Sequence, residues 1–94
     1  MLLNTTLKKG YALSGIIEPT NRYSIKGIAK KLGAATQCRV RLFEKQSGTL
    51  IADILTDQNG NYEFTNLAKV RFFIVAHDPL TQYNAVIQDN VVPK

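Results

Sequence analysis

The chain has 94 residues, with 12 Lys and Arg against 7 Asp and Glu, a formal net charge of +5 and 45% hydrophobic residues. This describes one domain, large enough for a single two-layer core and too small for a core plus a roomy catalytic cleft. No apolar run approaches the roughly 20 residues of a spanning helix, which argues against membrane insertion, and a single cysteine, Cys38, excludes an intramolecular disulfide and a cysteine metal cluster.

Residues 1–22 read as an N-terminal arm with at most one or two short strands. Polar turn formers (Asn4, Thr5, Thr6, Lys8, Lys9, Gly10) surround one short apolar run, Tyr11 to Ile17, closed by Glu18-Pro19-Thr20-Asn21. The first ten residues, MLLNTTLKKG, carry neither a basic leader nor an apolar segment of signal-peptide length, so the expectation is cytoplasmic synthesis without export. The charge is uneven: residues 1–45 hold nine Lys and Arg against Glu18 and Glu44, whereas residues 46–94 hold three against five acids. Such asymmetry steers a protein toward nucleic acid or an acidic protein surface.

Residues 23–94 read as the β domain. Tyr23 to Ala29 forms a strand, Lys30-Lys31-Leu32-Gly33 a loop, and Gln37 to Lys45 a second strand with Cys38, Val40 and Leu42 on its apolar side. That places Cys38 as a buried free thiol. Leu50 to Thr56 and Asn61 to Phe64 flank the stretch TDQNGNYEF, which reads as a hairpin. A two-residue type I′ turn on Asn59-Gly60 would bury Asp53. A three-residue loop, with Asp57 opening a type I turn and Gly60 in the left-handed region, pairs Thr56 with Tyr62 and Ile54 with Phe64. It puts Leu50, Ala52, Ile54, Tyr62 and Phe64 on one face and turns Asp53 outward, so it is preferred. Lys69 to His77 is a central strand with Phe72, Ile74 and Ala76 toward the core. Asp78-Pro79 breaks it, and Tyr83 to Val92 supplies the last strand. No sustained period of 3.6 appears, so the class is all-β, an antiparallel sandwich of about seven strands.

These residues resemble the carboxypeptidase regulatory-like domain. The likeness rests on Gly27, on Val40-Arg41-Leu42, on Thr56-Asp57 with Gly60, Tyr62 and Phe64, on Asn66-Leu67 and on Phe72-Phe73-Ile74-Val75-Ala76, over roughly residues 23–78. It implies a transthyretin-like/Ig-like antiparallel β-sandwich and a scaffolding or adhesion module without catalysis. The closing segment DPLTQYNAVIQDNVVP is similar to that of small proteins of this fold encoded by tailed bacteriophages and prophages. That likeness implies a virion protein, in the tail or as a capsid accessory, working through contacts with other subunits.

Enzymatic readings are not expected to hold. A transthyretin-like hydrolase of purine degradation needs several histidines, an arginine and a Tyr-Arg-Gly-Ser tail, whereas here His77 is the one histidine and the chain ends Val91-Val92-Pro93-Lys94. Iron dioxygenases with a related sandwich use two Tyr and two His ligands, and a second histidine is missing. His77 and Asp78 are strand neighbours that point to opposite faces, which argues against a catalytic pair. Asp57, Asn59, Asn61 and Glu63 alternate like a calcium loop, but Gly60 is fourth and Ala68 twelfth, where an EF-hand wants Gly sixth and Glu twelfth. No catalytic, cofactor or metal residue is therefore expected.

Binding is the remaining class. Lys8, Lys9, Lys26, Lys30, Lys31, Arg39 and Arg41 form a candidate basic surface, with Tyr11, Tyr23 and Phe43 interleaved, as in a phosphate-tracking groove. Lysines also guard solvated sheet edges, and no nucleic-acid motif is present, so nucleic acid is the second choice as partner. Tyr11, Ile16, Ile17, Phe43, Ile51, Leu55 and Phe73 are the candidate interface, because the chosen register turns too many large apolar groups away from the core. The leading expectation is a structural or connector protein of a homo- or hetero-oligomeric particle; a carbohydrate or cell-surface adhesion module is the further alternative.

Overall fold

The computed structural model describes residues 2–8 and 22–94. Among them are eight strands and no helix: β1 (Leu2–Lys8), β2 (Tyr23–Lys31), β3 (Ala34–Ala35), β4 (Arg39–Glu44), β5 (Leu50–Leu55), β6 (Asn61–Leu67), β7 (Phe72–His77) and β8 (Val86–Val91). In the first sheet β2 pairs with β1, with β6 and, at its far end, with β3; the second sheet has the order β5-β4-β7-β8. All pairings are antiparallel. The sheets pack face to face as a sandwich.

Alternation along each strand builds the core. Ile25 and Ala29 of β2 and Tyr62, Phe64 and Leu67 of β6 meet Val40 and Leu42 of β4, Phe72, Ile74 and Ala76 of β7 and Val91 of β8. Leu3, Ala52 and Ile54 pack against this cluster at its margins. The expected inward residues of β4 and β7 are all buried, and β7 is central, between β4 and β8. Cys38 is buried as expected; burial first, and then the charge of Asp78, push its thiol pKa up.

The expected hairpin is not a hairpin. Its loop forms as read: Gly60 has φ of +78°, Gly60 N–H donates to Asp57 O (3.0 Å) and Asp57 N–H to Asn61 O (3.1 Å). The ladder stops there. The pairs Thr56–Tyr62 and Ile54–Phe64 do not exist, because β5 pairs with β4 and β6 with β2, so the loop is an arch from one sheet to the other. Hydrogen bonds on each side of the corner account for this. Thr56 N–H donates to Cys38 O (2.9 Å), and the buried Thr56 hydroxyl accepts Cys38 N–H (2.9 Å) in place of a strand carbonyl. On the other side Ala29 N–H donates to Gly60 O (2.8 Å). Asp57 stiffens the turn, its carboxylate accepting the N–H groups of Asn59 (2.8 Å) and Asn61 (2.9 Å), which lower its pKa.

The faces nevertheless come out nearly as read, with Ala52 and Ile54 inward and Asp53, Ile51 and Leu55 outward. Leu50 is the exception. A register shift pairs Phe43 with Leu50 directly after Leu42 with Ala52, so Leu50 leaves the alternation and is 48% exposed. Lys30 and Lys31 belong to β2, and the turn to β3 falls on Leu32-Gly33, both at positive φ. The arm contributes β1, which runs beside β2 from Leu2↔Lys30 to Lys8↔Ser24. Tyr11, Ile16, Ile17 and Lys9 lie outside the described residues.

The corner yields two predictions. A Cβ on Gly60 would collide with the main-chain oxygen of Ala29, and left-handed backbone alone costs a non-glycine residue about 1–3 kcal/mol, so Gly60→Ala will lose at least that much in urea unfolding. Thr56→Val keeps the shape and strands the buried Cys38 N–H, for an expected loss of about 1–3 kcal/mol by the same measurement.

Candidate functional site

The outer face of the second sheet gathers the side chains that β4, β5, β7 and β8 turn away from the core. The register arranges them in rows: Leu55, Arg39 and His77; then Asp53, Arg41, Val75 and Ile87; then Leu50, Phe43 and Phe73. Phe43 and Phe73 stack with ring centroids 4.9 Å apart and planes 9° from parallel. On the same face Leu50, Ile51 and Ile87 are 48%, 44% and 63% exposed, and Leu55, beyond the Asp53–Arg41 row, is 60% exposed. Four of the seven expected interface residues (Phe43, Ile51, Leu55 and Phe73) thus share one face, and Leu50, Val75 and Ile87 join them. The register shift at Leu50 could not be read from spacing. Ile87 could have been, from the alternation of Val86, Ile87 and Gln88.

One end of this face is charged. Arg39 Nε donates to Asp53 Oδ1 (2.6 Å) and Arg41 Nε to Asp53 Oδ2 (3.1 Å), so one carboxylate bridges two guanidiniums. The Arg39 bond first, opposed by partial desolvation and reinforced by Arg41, holds Asp53 below the usual carboxylate range. Arg41 Nη1 lies 3.0 Å from His77 Nε2. A guanidinium only donates, so the imidazole nitrogen accepts and its ring proton sits on Nδ1. At the opposite end Lys45 Nζ meets Asp89 Oδ2 at 2.7 Å.

The expected basic surface is divided. Lys26 and Lys30 lie on the outer face of the first sheet, with Lys26 directly opposite Glu63 and Ile28 opposite Asn61, while Arg39 and Arg41 lie on the outer face of the second. Lys8 ends β1. Lys31 is a correction: its side chain is 12% exposed and its Nζ is 3.0 Å from Asp78 Oδ1, so it is an internal partner and not free surface. It also bonds Gln82 Oε1 (3.1 Å) and lies over the Tyr83 ring.

Asp78 is the residue that the sequence reading missed. With Pro79 it reads as a strand breaker, yet its carboxylate is buried and accepts the N–H groups of Leu80 (3.3 Å), Gln82 (2.8 Å) and Tyr83 (2.9 Å), holding the β7–β8 loop. Burial alone would raise its pKa; Lys31 and the N–H groups of Tyr83, Leu80 and Gln82 outweigh it and hold the group at about 2. Among the described residues no three His, Cys, Asp or Glu side chains gather as a metal site, and no helix is long and apolar enough to cross a membrane.

No family model, curated protein or solved structure matches the chain. The face just described is therefore the basis for reading function.

A depressed carboxylate stabilises the fold above its unfolded pKa and loses that contribution as pH falls through the folded one. For Asp78 the window runs from about 4, the ordinary Asp value, down to about 2. Stability should fall steeply across it, and Asp78→Asn should be less stable at neutral pH with a flatter acid limb, read by urea midpoints between pH 2 and 7.

Proposed function

We propose that this protein is a non-enzymatic structural or connector subunit that docks onto neighbouring protein subunits through the outer face of its second sheet. The observation that carries the reading is the apolar surface beside the Phe43–Phe73 stack, where Leu50, Ile51 and Ile87 are each more than two-fifths exposed, with Leu55 exposed at the arginine end of the same face. Full burial of a large apolar side chain is worth about 1.5–3 kcal/mol. Covering these groups thus favours association, and exposed apolar patches mark interaction sites. The charges beside the patch are paired within the chain, Asp53 with both arginines and Asp89 with Lys45, which lowers the cost of taking them into an interface.

The resemblance of the closing segment to small phage proteins supports reading the assembly as a tailed bacteriophage virion, with this chain as a tail or capsid accessory component. Nucleic-acid binding is the weaker reading. A backbone-tracking surface needs its cations in one continuous line, and here Lys26 and Lys30 are on the opposite side of the sandwich from Arg39 and Arg41, with Lys31 turned to Asp78.

The native mass tests the docking face. The full chain should form a discrete oligomer by light scattering, and the pair Leu55→Lys with Ile87→Lys, both at exposed positions, should leave a folded monomer. Monomers for both proteins across the accessible concentration range would count against docking between copies of this chain.

A further inference from the structure

The arginine end of the docking face has more hydrogen-bonding capacity than the chain itself uses. Each guanidinium carries five N–H donors. Arg39 spends Nε on Asp53, and Arg41 spends Nε on Asp53 and one donor of Nη1 on His77. Both terminal nitrogens of Arg39 and Nη2 of Arg41 have no acceptor among the described residues. Asp53 is shared, so the trio keeps a net positive charge. It also holds both arginines by Nε alone, at side-chain exposures of 51% for Arg39 and 34% for Arg41. This leaves the two-nitrogen fork of Arg39, the part that grips an oxyanion in two parallel bonds, uncommitted.

We propose that Arg39 and Arg41 form a carboxylate clamp for a single acidic side chain, carried by an otherwise apolar segment of a partner protein laid across this face. The proposal rests on the docking reading and names the chemistry of its partner. Charge complementarity selects the occupant. The adjoining positions are Leu55, Val75 and Phe43, together with His77 and Asp53, so apolar partner residues beside the acid find Leu55, Val75 and Phe43 to cover. A polyanion fits less well, since Asp53 repels it and the next cation on this face, Lys45, is engaged with Asp89. Asp53 acts as a positioning residue, tethering the two arginines side by side on adjacent outward positions of β4.

The test uses two capped pentapeptides, Ala-Leu-Asp-Leu-Ala and its Asn counterpart, with inorganic phosphate as a third probe at equal ionic strength. Binding is followed by the NMR signals of the arginine Nε–H groups in the full chain. The Asp peptide should shift Arg39 and Arg41 saturably and bind about 5-fold or more tighter than the Asn peptide, consistent with a charge-assisted bond. Arg39→Lys, which keeps the charge and removes the fork at an exposed position, should lower that ratio at least 2-fold, and an unchanged ratio would overturn the role of the fork. Equal affinity for the two peptides, no binding of either, or shifts spread evenly over the chain's cations would overturn the clamp. Tighter binding of phosphate than of the Asp peptide would overturn the carboxylate assignment and point to a phosphate-bearing ligand. The native-mass experiment reads the apolar rows independently, so a failed clamp and a failed docking face are told apart.

Discussion

The fold turns on the transfer of the chain between sheets at Thr56–Asn61. On one side Thr56 is held by Cys38 through both its N–H and its hydroxyl; on the other, Gly60 is held by Ala29 through a main-chain bond that a side chain at Gly60 would block. Once β5 is assigned to the second sheet and β6 to the first, strand alternation decides which side chains face the core and which face outward. The proposed docking face is thus a consequence of a corner that contributes none of its residues.

That dependence explains what the sequence could and could not disclose. The turn chemistry of Asp57 and Gly60 is local, and so is the two-residue period that sends Val40, Leu42, Phe72, Ile74 and Ala76 inward; both are legible. The partner of each strand is not, because the same loop closes a hairpin or an arch, and the choice lies with Cys38 and Ala29, far off in sequence. The facing of Ala52 and Ile54 came out right although their expected pairing was wrong, since a residue's face is set by its own strand. Leu50 failed for the complementary reason: one extra residue in β5 resets the period, and spacing alone does not show where. Asp78 was hidden because an aspartate before a proline reads as punctuation, while its partners are N–H groups of the following loop and a lysine from the other sheet.

Charge is where linear reading misleads most. Nine basic residues in the first half of the chain suggest a single basic surface, but β2 and β4 lie in opposite layers, so their cations point in opposite directions. The electrostatic character of the molecule is therefore local. Lys26 faces Glu63 across two strands, Asp53 ties two arginines, and Lys31 serves Asp78. What distinguishes the second sheet's outer face is the apolar ground on which its few charges sit, since a charged hydrogen bond gains strength as water is withdrawn from around it.

The two outer faces of the sandwich are unlike. Among the described residues one carries Ile28 amid Lys26, Lys30, Asn61, Glu63 and Thr65; the other carries the aromatic stack and its aliphatic rim. A plate built this way has a front and a back. If two plates meet front to front, each uses its aromatic face, so growth by this contact ends at the pair and does not continue into a stack. Head-to-tail repetition, which would make a fibre, would set the aromatic stack against a back that is mostly polar among the described residues. Contact through the proposed front face alone therefore closes a pair and does not extend an array.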